Sequence, residues 1–182
     1  MPGELWDVYS FDRRRTGRTM RRGEAMPEGF FHLVVHICVF APDGRMLIQH
    51  RCPAKRSWPG LWDLSSGGCA VAGEDSRAAA ERELFEELGI RASFAGRRPA
   101  LSIDFETGFD DVFFTEYAGD AEQLRLQPEE VDCVRWADSG EVLRLLESGL
   151  FVPYHASFLR LLFDTHEHGG GLDRHGRELT KE

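Results

Sequence analysis

Glu83, Glu86 and Glu87 stand at i, i+3 and i+4, so a helix would turn their carboxylates toward one neighbouring face. Crowding like charges in this way costs a helix a few tenths of a kcal/mol. Glu86 and Glu87 also fall near the C-terminal end, where the macrodipole disfavours anions. Arg82 offsets part of that cost through Glu86, four residues on. Three carboxylates around one arginine suit a hard divalent cation, which takes oxygen ligands. They equally suit a solvated acidic face, the ordinary fate of a charge run. The helix alone does not choose between the two.

The helix is read from pattern. Ala80, Leu84 and Leu88 recur at one-turn spacing and form an apolar stripe. Asp75 or Ser76 can cap its start, and Gly89 suits a left-handed stop. Upstream lie Gly68 and Glu74. Together the residues from Gly68 to Ile90 follow Gly-x5-Glu-x7-Arg-Glu-apolar-x-Glu-Glu-x-Gly-apolar without a mismatch.

That run resembles the Nudix box, and the chain looks like a Nudix hydrolase. The resemblance implies an α/β fold, an α/β/α sandwich around a mixed central sheet. It implies Mg²⁺ as cofactor, with Mn²⁺ as a substitute. Glu83 and Glu87 then match the principal metal ligands, and Glu86 a further ligand or the base that handles the attacking water. Glu74 matches an auxiliary loop carboxylate, Arg82 the arginine that orients the glutamates, and the Gly67 carbonyl an extra ligand. One more acid is expected outside the box. Asp111 is the first candidate for it and for a metal contact, with Asp110 and Glu116 as alternatives.

Composition bounds the rest. The chain has 182 residues, 42% of them hydrophobic and 29% charged, which fits one soluble domain with a full core. We read that domain over residues 1–166, with 1–29 as an N-terminal hairpin extension. The net charge of −9 argues against nonspecific binding to nucleic acid or an anionic membrane. The cysteines at 38, 52, 69 and 133 form no CxxC pair and no zinc spacing, which points to a reducing compartment without disulfides. The N-terminus shows no signal-peptide pattern, and the apolar run Phe30–Ala41 is too short to span a bilayer. A cytoplasmic location is expected.

In order along the chain, Glu4–Tyr9 reads as a short strand. The arginine-rich stretch 12–24 follows, with a turn expected at Thr16-Gly17-Arg18. Most of its arginines read as a solvated hairpin, with one or two able to reach a diphosphate. Phe30–Phe40 reads as a buried strand, Pro42-Asp43-Gly44 as a turn and Arg45–His50 as the returning strand. Trp58 and Trp62 read as packing residues. Strands are expected over Ala92–Ile103, interrupted near Gly96–Pro99, then Asp111–Tyr117 and Val131–Trp136. Helices are expected over Ser139–Glu147 and Pro153–His166, before a Gly-rich tail, 167–182, without order.

The flanks of the box resemble the branch that includes isopentenyl diphosphate isomerase, over roughly residues 4–163. His32, the pair Arg51 and Lys55 ahead of Trp58-Pro59-Gly60, and the Trp62-led strand carry that resemblance. It implies that Arg51 and Lys55 hold a substrate diphosphate and that His32 matches a metal ligand. The departures weigh against the isomerase reaction. Gly67 stands where the isomerase has its catalytic cysteine, and Ala25 and Cys69 fall where it has further metal-binding histidines. His32 then reads as a strand histidine paired to a carbonyl or carboxylate, and Cys69 has no catalytic role.

The expected reaction is hydrolysis of a phosphoanhydride bond in a small diphosphate compound, foremost a nucleoside diphosphate linked to another moiety. The alternatives are an isomerase-like enzyme and a non-catalytic ligand-binding Nudix module. A homodimer through the N-terminal hairpin is an expectation by analogy.

Overall fold

The stripe of Ala80, Leu84 and Leu88 forms one side of helix α1 (Ser76–Leu88). Asp75 is its N-cap, accepting from the Ala78 N–H. Gly89 ends it at φ 69° and donates to the Phe85 carbonyl, a backbone state that a side chain would strain. Ala79, Ala80, Leu84 and Leu88 are fully buried. The computed structural model describes residues 3–169.

Strands β1 (Leu5–Tyr9) and β2 (Arg15–Arg21) form a separate antiparallel pair. The main sheet holds β3 (His32–Phe40), β4 (Met46–Arg51), β5 (Trp62–Asp63), β6 (Ser66–Cys69), β7 (Leu101–Phe105), β8 (Gly108–Glu116) and β9 (Val131–Ala137). β3 pairs with β8 in parallel along its whole length, and every other pairing is antiparallel, so the sheet is mixed.

Alternation along β3 explains the layers. Leu33, Val35, Ile37 and Val39 point to α1, with Phe109 and Phe113 of β8 beside them. Cys38 and Phe40 point the other way, toward α2 (Ser139–Glu147) and α3 (Ala156–His168) through Val142, Leu159 and Leu162. The result is the expected α/β/α arrangement. Among the described residues no helix is long and apolar enough to cross a membrane.

One irregularity positions the site. β3 and β4 meet in register only at Phe40 and Met46. β4 then runs with β9, while β6 pairs with Val34–Ile37 of β3. The sheet therefore opens between β4 and β6, and Glu87 of α1 bridges the opening. It accepts from Gln49 Nε2 at 3.4 Å and from the Gly67 N–H at 3.2 Å.

Several local expectations differ from the structure. Thr16-Gly17-Arg18 is not a turn but lies inside β2, where Gly17 at φ 79° absorbs a bulge opposite β1. The chain reverses instead at Ser10–Arg14, closed by Ser10 N–H to the Arg14 carbonyl. Of the stretch 92–103 only residues 101–103 are strand, the start of β7 (Leu101–Phe105). Before it the backbone is spent on other partners: Glu81 accepts from the Phe94 N–H at 2.6 Å and anchors buried Phe94 under α1. Trp58 is half exposed at φ 52°, whereas Trp62 packs under the Arg135 guanidinium at 4.6 Å. α3 begins at Ala156, after Pro153, and runs to His168, so residues 167 and 168 belong to a helix. The rest of the expected tail, from 170, lies outside the described residues.

Truncating the stripe tests the layer assignment. Leu84→Ala should lower unfolding stability by about 2–5 kcal/mol through lost burial and a cavity, measured as the urea midpoint at constant m value.

Candidate active site

α1 carries its four acidic and basic site residues on the side turned to β6. Arg82 is their hub. Its Nε and Nη2 donate to Glu74 at 2.8 and 3.0 Å. Its Nη1 donates to Glu83 at 2.8 Å and Glu86 at 3.0 Å, and Nη2 also reaches the Cys69 carbonyl at 3.1 Å. Burial works against the guanidinium's charge, but the Glu74 bond and the Glu83 and Glu86 carboxylates outweigh it and hold its pKa above the ordinary arginine value.

Glu83 and Glu87 lie deeper. Burial raises the Glu83 pKa even against the adjacent Arg82. Burial, then the Glu83 charge, push Glu87 up to about 7. Glu86 is half exposed. Glu74 reaches back to accept from the Val71 N–H at 3.1 Å, which ties the loop to the helix.

The two glycines ahead of the helix make the space. A Cβ on Gly68 would lie 2.3 Å from Glu83 Oε1, and one on Gly67 would lie 2.6 Å from His36 Cδ2 and 2.9 Å from the Val35 carbonyl. Only backbone fits between the carboxylates and β3. Four carboxylates and the exposed edge of a glycine backbone are a hard-oxygen set, which fits a Mg²⁺-type ion. Drawn together on Arg82, the glutamates do not form a tight three-ligand cluster by themselves. Among the described residues such a cluster, with ligand atoms within 4.8 Å of one another, occurs at His50, Asp132 and Cys133. It lies on the opposite side of β4 from Gln49, where a bulge in β9 sets Asp132 and Cys133 against His50.

The other expected residues are placed as follows. Arg51 donates to Asp63 at 2.8 Å and to the Ser57 carbonyl, and Lys55 pairs with Glu130. Both cations are thus held by carboxylates of this chain. Asp111 faces α1's side of the sheet and bonds Arg13 at 2.5 Å and Ser102 at 2.6 Å. Asp110 faces the other side and bonds His36 Nδ1 at 2.6 Å. Glu116 ends β8 in solvent. Among the hairpin arginines, Arg15 reaches the Glu74 carbonyl and Arg22 pairs with Glu4. His32 bonds the Thr107 carbonyl at 2.8 Å and stacks on Trp6, as a strand histidine does. Burial pushes the Cys69 thiol up to about 12, so it stays neutral. All four cysteines are free.

Sequence reasoning missed His36, Asp63 and Tyr154. They form a chain: His36 Nε2 lies 3.3 Å from the Tyr154 hydroxyl, which donates to Asp63 at 2.9 Å. Burial acts to lower the His36 pKa, but the Asp110 charge and hydrogen bond, with Asp63 and Glu87 beyond, raise it to about 9. The available signal was a histidine inside an apolar strand run.

The NUDIX domain family matches residues 30–162. The chain belongs to the Nudix family. A Nudix hydrolase of Listeria monocytogenes, itself uncharacterized, is 45% identical over 161 residues, covering 88% of this chain and 94% of that one. The isopentenyl-diphosphate Delta-isomerase of Frankia alni is 31% identical over 135 residues, covering 70% and 68%. A Deinococcus radiodurans crystal structure shares the Nudix fold at TM-score 0.71 and 21% identity, covering 86% of this chain and 98% of that one. The glycine pair, Glu74, Arg82 and the helix glutamates of this Nudix chain thus lie within the matched domain.

Two outcomes test this geometry. Gly68→Ala should displace the flexible Glu83 end while sparing the fold. Mg²⁺ affinity by calorimetry should fall about 10–100-fold, with little change in the unfolding midpoint. Glu87 has a folded pKa raised to about 7 from 4.5, so in metal-free protein its stabilising contribution is full below pH 4.5 and lost as pH rises through 7. The urea midpoint of Glu87→Gln, measured in chelator, should therefore gain on wild type from pH 5 to pH 8.

Proposed function

We propose that this chain is a divalent-cation-dependent Nudix hydrolase that cleaves a phosphoanhydride bond in a small diphosphate compound, foremost a nucleoside diphosphate linked to another moiety. The observation that carries the reading is the cradle of Glu83 and Glu87 against the side-chain-free Gly67-Gly68 backbone, with Glu74 and Glu86 gathered on Arg82. Hydrolase relatives that match over most of their length support it.

Glu83, Glu87 and Glu86, with Glu74 and the Gly67 carbonyl, would hold Mg²⁺ or Mn²⁺. The ion, when bound, supplies positive charge to the diphosphate oxygens and makes water more acidic. Arg82 keeps the carboxylates aligned, so their mutual repulsion does not open the site. Glu86, half exposed, can turn from Arg82 and take the proton as water attacks phosphorus. The P–O–P bond breaks, and the departing phosphate keeps the bonding electrons. Glu87 titrates near neutrality when no cation is present, and a cation would hold it ionised.

Arg51 and Lys55 are the proposed diphosphate-positioning cations, exchanging their Asp63 and Glu130 partners for phosphate oxygens. Asp111, released from Arg13, is the proposed acid outside the box. The isomerase reading loses support at Gly67, because a glycine cannot shuttle a proton.

The decisive assay is phosphate release with Mg²⁺ across a panel of diphosphates. Glu83→Gln and Glu87→Gln should each lower kcat by about a hundredfold or more with the fold retained. Wild-type turnover in both variants would reject the metal site. Tight binding by the wild type without turnover would instead favour a ligand-binding module.

A further inference from the structure

His50, Asp132 and Cys133 gather three metal-ligating side chains away from the glutamates of α1. Their ligand atoms lie within 4.8 Å of one another, and His50 Nδ1 stands 3.0 Å from Asp132 Oδ2. Gln49, one residue earlier on β4, turns the other way, to Glu87. The two clusters therefore occupy opposite faces of that strand.

A regular strand would send Asp132 and Cys133 to opposite faces as well. Here His50 pairs with Cys133 across the ladder while Arg51 pairs with Val131, so Asp132 is the extra residue of a bulge. The bulge brings it beside Cys133 and against the His50 ring. An ordinary hydrogen bond between His50 and Asp132 would account for two of the three side chains and gives Cys133 no part.

An ion uses all three. One imidazole nitrogen, one carboxylate oxygen and one sulfur suit a borderline ion such as Zn²⁺, whereas Mg²⁺ takes oxygen. Carboxylate and thiolate together bring two negative charges, which balance a divalent cation, and the thiol proton leaves to water on binding. Donor atoms in a tetrahedral zinc site stand roughly 3.3–3.6 Å apart, given bonds of about 2.0–2.3 Å. Small side-chain rotations would close the cluster to that spacing. Asp132 and Cys133 are exposed and can make them. His50 is steadied by Trp62, edge-on with ring centroids 5.1 Å apart, and Trp62 lies under the Arg135 guanidinium.

We propose that His50, Asp132 and Cys133 bind a Zn²⁺-type ion, with water in the fourth position, at a site distinct from the Mg²⁺ cradle. The ion would tie β4 to β9 beside Glu130, whose carboxylate pairs with Lys55 and whose carbonyl accepts from the Cys52 N–H at 2.9 Å. It would thereby brace the root of the loop that follows β4. The proposal does not rest on the hydrolase reading.

The test titrates Co²⁺, a spectroscopic stand-in for Zn²⁺, into reduced protein in excess Mg²⁺, which fills the oxygen site. One equivalent should give a thiolate-to-Co²⁺ charge-transfer band in the near ultraviolet, and Zn²⁺ should abolish it by displacement. Histidines such as His166 and His168 at the end of α3 can take Co²⁺ without giving that band. Cys133→Ser should remove the band, and His50→Ala and Asp132→Asn should each lower Co²⁺ affinity about tenfold or more. Cys52→Ser and Glu83→Gln should leave both unchanged. No band in the wild type, a band that survives Cys133→Ser, or an affinity unmoved by either His50→Ala or Asp132→Asn would overturn the proposal. Should a variant fail to fold, alkylation of the wild type by iodoacetamide decides. One equivalent of Zn²⁺ should protect Cys133 and not Cys52, and equal labelling of Cys133 with and without Zn²⁺ would overturn the assignment.

Discussion

The Arg82 guanidinium is the interaction on which this site depends. Glu74, Glu83 and Glu86 would repel one another across a partly buried space, and a helix bearing Glu83 and Glu86 in its C-terminal half gains nothing from their charge. One planar fork with fixed donor directions satisfies all three and also holds the Cys69 carbonyl of β6. It thereby locks the loop, the helix and the strand into one register. A lysine, with a single point charge on a flexible stem, could not do the same. The arrangement also leaves Glu87 outside the fork, buried and short of positive charge, which is why its carboxyl titrates near neutrality.

The splitting of the sheet gives that fork something to face. β3 exchanges its partner from β4 to β6 within one strand; the tip of Glu87 reaches across the gap, and Ser65 links the Val39 N–H of β3 to the Leu47 carbonyl of β4. Two glycines line the gap because nothing larger than backbone fits beside Glu83 and His36. Gly68 thereby faces the carboxylates of α1, and Gly67 faces the His36 ring on the other side of the sheet.

Behind Gly67 runs a polar chain from Arg51 through Asp63, Tyr154 and His36 to Asp110. Such a chain is costly to bury unless its members satisfy one another, and removing one would strand its neighbour's charge. Its members come from β4, from β5, from β3, from β8 and from the segment leading into α3. It ties the segment before α3 to the sheet. The same chain explains why Arg51, which by resemblance faces a diphosphate, rests on Asp63 in the structure.

The sequence alone determined the elements whose signals are local. The period of Ala80, Leu84 and Leu88, the Asp75 cap and the Gly89 stop defined α1. The order and spacing of Glu74, Arg82, Glu83, Glu86 and Glu87 pointed to the Nudix family that the domain match shows. Apolar runs and turn residues placed β3, the Pro42–Gly44 reversal and α2. Tertiary structure decided what depends on residues distant in the chain. The reversal at Ser10–Arg14 won over Thr16-Gly17-Arg18 because pairing with β1 could absorb Gly17 as a bulge. Residues 92–100 lost their strand because Glu81 and the core claimed Phe94. Asp110 and Asp111, adjacent in sequence, went to opposite faces of β8, one to His36 and the other to Arg13. His36 and Tyr154 met only because β3 and the start of α3 enclose the same cavity. Local spacing records what a helix will present, but it carries no record of which strand will lie beside it, since that is settled by packing and by pairing across the whole chain.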